Sequence, residues 1–300
     1  MELTTKIKIA EQLRQKKTDT GMSDNQLGNQ IGEMSGTLVN HIVNNRWEDN
    51  PKMVSDEAFR KVASWLGVAE EWVVVKDDYN FMKVQKICAD AKLDSDSFAI
   101  SAAPGFCKSE AAHDFANRRN VFYVKCSQHY TRKVFLSKIM QAMGMSLQDE
   151  GTNEMVDRIV MKLNSISKPL MIIDEADKLG DNLFQFFITF YNDTYTNCGF
   201  VFLGSVFFKL RVIKGVNRNR QGYAEFFSRI GRQFIGLQDL TQKRVTAICK
   251  ANGVHAVEHT NQVWNECEND LRRVKRKIED VKKLMKLEKK TQLTIEEVLS

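Results

Sequence analysis

The sequence predicts an α/β protein, with a parallel sheet and its helices in the middle of the chain and all-α segments on either side. Three observations carry this. Continuous apolar runs at Phe98–Ala102, Val121–Val124, Leu170–Ile173, Phe200–Leu203 and Phe234–Leu237 alternate with helical patterns. Runs of that kind fit strands buried on both faces, so five parallel strands are expected. Before and after this stretch only helical periodicity is found, and a composition of 43% hydrophobic and 27% charged over 300 residues is that of a folded chain with room for two or three domains. The expected division is a helical domain over 1–76, an α/β core over 81–238 and a helical lid over 239–300, with the polar Lys76-Asp77-Asp78-Tyr79-Asn80 as linker.

In the first segment, Ser23 followed by Gln26 is a capping-box start, in which each side chain satisfies the other's backbone amide. Leu27 and Ile31 share one face of the helix that follows. After a break at 33–35, Ser35 caps a second short helix with Leu38 and Ile42 inward and Thr37, Asn40 and Asn44 outward. Two short helices joined by a tight turn are the pattern of a helix-turn-helix, whose second helix reads DNA; a small protein-binding module has the same pattern. In the middle segment the helix at 182–191 carries Phe184, Phe186, Phe187 and Phe190 and is expected to be core. Leu271, Val274, Ile278 and Val281 mark one apolar stripe on a basic helix near the end.

The chemistry sits at strand ends. The first strand runs into Ala102-Ala103-Pro104-Gly105-Phe106-Cys107-Lys108-Ser109 and then the helical Glu110. A P-loop has the form GxxxxGK[ST] between a strand and a helix, and its free amides cradle phosphate at the helix N-terminus. Residues 103–110 are therefore the candidate cradle for ATP. Lys108 neutralises the terminal phosphates and the Ser109 hydroxyl binds Mg2+. Ala102 and Cys107 stand where the motif has glycines, and a Cβ crowds the approach of phosphate. This leaves two readings open, a slow ATPase and a binding module that no longer hydrolyses. The third run ends in Asp174-Glu175, with Asp174 placed for Mg2+ and Glu175 for orienting the attacking water. Ser205 after the fourth run can touch the terminal phosphate. Arg229 can act across a subunit boundary, and Arg272 can reach back to the phosphates. A thiol at Cys107 facing that site is expected to be protected from alkylation by ATP.

Gly105–Ser109, Ile172-Ile173-Asp174-Glu175-Ala176-Asp177, Gly204-Ser205, Phe227-Ser228-Arg229-Ile230 and Leu271-Arg272 together resemble an AAA+ ATPase. Within that class the order is similar to the transposition ATPases of the phage Mu B type, along nearly the whole chain. The resemblance implies a helix-turn-helix, a compact AAA+ core and a helical lid. It also implies ATP-dependent oligomers or filaments on double-stranded DNA without much sequence preference, and a transposase as partner. The family's Asn at the fourth strand end is Ser205 here. A helicase-loader type of AAA+ remodeller is the other family reading, and a DNA-binding regulator without ATPase activity the other functional one.

The net charge of +6 is unevenly placed. Residues 209–232 hold seven basic side chains against Glu225, residues 272–290 hold ten against three, and 1–76 is net negative. Affinity for duplex DNA comes mostly from neutralised phosphates, so Lys209, Arg211, Lys214, Arg218 and Arg220 are the expected DNA surface, ahead of Thr37, Asn40 and Asn44. No apolar run reaches membrane-spanning length, and the first residues have no signal-peptide core. Six scattered Cys form neither a disulfide framework nor a CxxC pair. The expectation is a cytoplasmic protein without a membrane partner.

Overall fold

The computed structural model describes residues 3–32, 34–67 and 72–299. The chain divides into two compact units, Met1–Val74 and Val75–Ser300. The first is α1 (Leu3–Thr20), α2 (Asp24–Gly32), α3 (Gly36–Val43), α4 (Arg46–Asp49) and α5 (Asp56–Leu66). The capping box at its second helix forms as expected: Ser23 N donates to Gln26 Oε1 at 2.9 Å and Gln26 N donates to Ser23 Oγ at 3.4 Å. Ser35 Oγ accepts from Leu38 N and starts α3. The turn between α2 and α3 is tight because position 28 is glycine; a Cβ there would overlap the Met34 carbonyl. Ile9, Leu13, Leu27, Val39, Ile42, Trp47, Phe59 and Val62 form the core of this unit.

The second unit contains α6 (Tyr79–Asp94), β1 (Ser97–Ser101), α7 (Lys108–Ala116), β2 (Val121–Lys125), α8 (Arg132–Ala142) and α9 (Thr152–Asn164). It continues through β3 (Leu170–Asp174), a 3-10 turn at Ala176–Lys178, α10 (Asp181–Asp193), β4 (Gly199–Gly204), α11 (Val206–Asn217) and α12 (Tyr223–Arg229). Helices α13 (Gln242–Ala251), α14 (Val257–Glu266) and α15 (Leu271–Leu299) complete it. The segment read as a linker instead opens α6, because Asp78 accepts from Asn80 N and Phe81 N and so caps it.

The sheet is all parallel, in the order β1-β4-β3-β2. Every residue of β3 and β4 is buried, which is why those runs carry no polar alternation. On one face Phe187 of α10 meets Phe202, Phe200 and Phe226 edge-on at 4.7, 5.2 and 5.3 Å between centroids, so the Phe-rich helix is packing. The side chain of Phe184 lies outside the described residues. In the last helices α14 packs on both α13 and α15, burying Val245, Val263, Val274, Ile278 and Val281. Among the described residues no helix is long and apolar enough to cross a membrane.

The expected fifth strand is a correction. Phe234–Leu237 is reduced to a single parallel bridge, Ile100 with Ile235, made by Ser101 N to Ile235 O and Ile235 N to Ala99 O. Side chains of α6 hold the alternate backbone groups of the same segment. Lys83 Nζ holds Gly236 O at 2.8 Å, and the Asn80 amide holds both Gln238 O and Gln238 N.

Candidate functional site

The sheet order decides where chemistry can occur. With β4 inserted between β1 and β3, the carboxyl ends of three strands lie side by side, and a ligand crevice in a parallel sheet forms at such a point. The loop after β1, the acids at the end of β3 and Ser205 after β4 therefore share one edge.

The loop turns through two residues with left-handed backbone, Gly105 (φ 78) and Cys107 (φ 65). Gly105 is needed twice over: its φ favours glycine, and a Cβ would overlap the Asp270 carboxylate. Asp270 stands immediately before α15, accepts from Arg272 N at 2.8 Å, and is followed by Leu271, whose N donates to Gly105 O at 3.1 Å. The first turn of the last helix is thus fastened to the loop after β1. Cys107 pays the conformational cost that glycine avoids, about 1–2 kcal/mol for a non-glycine residue. Burial, with Asp78 and Glu110 adding to it, pushes its thiol up to about 12. Phe106 is buried beneath the loop, while Ala103 and Ser109 are half-buried and Pro104 and Glu110 exposed.

Lys108 opens α7 and bends back, donating to Ala102 O at 2.7 Å and Ala103 O at 2.8 Å. Burial depresses its ammonium below the ordinary lysine range; Asp174 and Asp177 oppose this and Arg272 adds to it. Arg272 is therefore within electrostatic reach of Lys108.

Asp174 is 2% exposed, and both its oxygens are engaged. Tyr123 Oη donates to Oδ2 at 2.5 Å and Glu175 N donates to Oδ1 at 2.8 Å. Glu175 sits in left-handed backbone (φ 53), which turns its carboxylate out of the strand direction. Lys125 Nζ lies 3.1 Å from Glu175 Oε1 and Lys178 Nζ 3.5 Å from Oε2. Tyr123 and Lys125 were missed by the sequence reading. Strand alternation puts 123 and 125 on one face, but only the pairing of β2 with β3 brings that face to the end of β3.

Asp177 Oδ1 accepts from Ser205 N at 3.1 Å, which ties β4 to the turn after β3. The Ser205 hydroxyl is buried with no hydrogen-bond partner among the described residues. Arg229 is turned onto its own chain, donating to Asn192 Oδ1 at 2.8 Å with its guanidinium 5.3 Å from the Tyr191 ring centroid. It is not brought to the Lys108 loop within one chain.

The DNA candidates separate. Lys209, Lys214 and Arg218 are exposed on or just after α11. Arg220 is exposed but paired with Asp181 at 3.2 Å. Arg211 turns inward and donates to Asp177 O and Leu179 O, so it supports the turn after β3. In the first unit Thr37 is exposed, Asn40 is tied to Asp24 at 2.8 Å and Asn44 folds its amide onto Asn40 O.

A half-buried ammonium whose bonded partners are two carbonyls stands here beside an arginine and an unpartnered buried hydroxyl, with the carboxylates of Asp174 and Asp177 within its electrostatic reach. That fits a triphosphate. Among the described residues no group of three or more His, Cys, Asp or Glu could hold a metal by itself. The family model described as an AAA domain matches residues 93–208, the stretch that carries the loop, both acids and Ser205. The fold is similar to that of the ORC1 protein of Aeropyrum pernix, solved in complex with DNA, with a TM-score of 0.52 and 14% identity over 68% of this chain. The match spans 58% of that chain, less than two thirds of its length. A Walker-type ATPase of Pyrococcus abyssi matches at TM-score 0.45 and 11% identity, covering 76% of this chain and 79% of that one. RuvB of Thermotoga maritima matches at 0.33 and 14%, covering 67% and 68%. No curated protein matches the sequence. At 14% identity the likeness to ORC1 is one of fold alone.

Proposed function

We propose that the protein is an ATP-dependent DNA-binding AAA+ ATPase that assembles on double-stranded DNA and delivers it to a transposase. The observation that carries the nucleotide part is the convergence of Lys108, Asp174, Ser205 and Arg272 at one strand edge. The loop amides at 105–110 and Lys108 would hold the phosphates of ATP, while Ser109 and Asp174 would hold Mg2+. Bound Mg2+ supplies charge neutralisation to the triphosphate. Ser205 Oγ gains the partner it lacks. Glu175 would orient the attacking water, and its pairing with Lys125 and Lys178 restrains that role in the isolated chain. Arg229 would have to leave Asn192 and Tyr191 to serve the site of a neighbouring copy, and the homo-oligomer or filament rests on the resemblance of the motif set.

DNA binding is supported by Lys209, Lys214 and Arg218, which lie exposed along one helix with no ion-pair partner among the described residues. The helix-turn-helix is an auxiliary reader, since Asn40 is committed to Asp24. The transposase partner, and a cytoplasmic place of action, follow from the resemblance of the motif set to Mu B type ATPases. The strained Cys107 favours a second reading, a nucleotide-binding regulator with little turnover. Sedimentation with duplex DNA tests the proposal. ATP and Mg2+ are expected to shift the wild type into large DNA-bound species and to leave Lys108→Ala unchanged; equal assembly of the two would refute it. Cys107→Gly separates the readings, raising turnover if the site is slowed and leaving it at background if it is dead.

A further inference from the structure

We infer that Tyr123 is a positioning residue for the metal-binding carboxylate of Asp174, an inference that rests on the nucleotide reading of the site. A carboxylate buried at a strand end can turn about its last torsion, and a metal or a metal-bound water is held only if a lone pair stays aimed at it. Asp174 is 2% exposed, so solvent does not hold it in place. It is fixed from two sides, by Glu175 N on Oδ1 at 2.8 Å and by Tyr123 Oη on Oδ2 at 2.5 Å. The backbone amide alone leaves the second oxygen free to swing; the phenol removes that freedom.

The phenol is itself placed by two elements. Tyr123 lies on β2, in register with Ile172 of β3, two residues before Asp174. Its ring meets His113 of α7 edge-on, with centroids 5.4 Å apart. Tyr123 thus connects the helix that begins at Lys108 to the strand that ends at Asp174, and a buried carboxylate oxygen keeps a donor. A carboxylate has about four lone-pair sites, so two donors leave others for a metal or its waters. The phenol orients the group without consuming it. Tyr123 touches neither phosphate nor metal in this arrangement, and acts through Asp174.

The test is equilibrium binding of a fluorescent ATP analogue to the full chain, titrated with Mg2+ and repeated in EDTA. The nucleotide reading requires Mg2+-dependent binding by the wild type; its absence would refute that reading and this one with it. Given that binding, Tyr123→Phe keeps the ring against His113 and is expected to raise the Mg2+ concentration at half-saturation about fivefold to tenfold, with affinity in EDTA unchanged. Asp174→Asn is expected to lose the Mg2+ enhancement, and Tyr123→Phe added to it to do nothing more. A purely structural role would weaken binding equally with and without Mg2+. That result, or an unchanged Mg2+ midpoint in a wild type that binds, would overturn the inference while leaving the nucleotide reading intact. If Tyr123→Phe does not fold, Tyr123→His, which keeps a ring and a donor at shorter reach, takes its place in the same titration, with an intermediate midpoint expected and an unchanged one contradicting.

Discussion

Gly105→Ala is the sharpest probe of how the last helix is fastened to the phosphate loop. The residue has φ 78, and a methyl group there would overlap the Asp270 carboxylate and come within 3.0 Å of Asp270 Cα. The left-handed backbone costs about 1–2 kcal/mol for alanine. Displacing Asp270 also removes the acceptor of Arg272 N at the start of α15, a capping loss of about 1 kcal/mol. The expected destabilisation is about 2–3 kcal/mol, or a fall of about 4–12 °C in the transition of a unit of this size. Asp270→Ala alone should cost about 1 kcal/mol. The double variant should cost no more than Gly105→Ala alone, because the cap is lost once and the overlap is eased. Denaturant unfolding of the four proteins closes the cycle, with about 1 kcal/mol of coupling expected. Additive effects, or a Gly105→Ala variant as stable as the wild type, would refute the fastening.

Three other outcomes follow. Lys125→Ala leaves the Glu175 carboxylate with Lys178 alone and removes a pair that is half-open to solvent, so stability should change by less than about 0.5 kcal/mol while basal ATP turnover rises with an unchanged KM; a fall in turnover would show that Lys125 helps the reaction. With its thiol pushed up to about 12, Cys107 should react with iodoacetamide at pH 8 roughly 1,000-fold more slowly than an ordinary cysteine and accelerate up to pH 11, which mass spectrometry of the labelled peptide checks. Lys214→Ala with Arg218→Ala should lower the slope of log K against log salt for duplex DNA by about 1.8, measured by fluorescence anisotropy at several salt concentrations.

Much of the core was legible because each buried strand is a continuous apolar run and each acid or hydroxyl of the site stands at the end of one. The four strands, the capping box at Ser23 and the packing role of Phe187 follow from period and composition alone. The reduction of the fifth strand to one bridge at Ile235 was not legible, since Phe234–Leu237 is as apolar as the others. The commitment of Asn40 to Asp24 and of Arg211 to the turn after β3 also depends on tertiary contacts that charge counting cannot see. Tyr123 was hidden for a different reason. It lies mid-strand, where an aromatic residue reads as core, and only the β2–β3 pairing brings its hydroxyl to Asp174.

The central claim is that the edge formed by Lys108, Asp174, Ser205 and Arg272 holds ATP with Mg2+. Isothermal titration of the full chain with a slowly hydrolysed ATP analogue in Mg2+ tests it most directly. One saturable site per chain is expected, weakened at least tenfold in Lys108→Ala and also weakened in Arg272→Ala. No saturable binding by the wild type, or equal affinity in wild type and Lys108→Ala, would contradict the account.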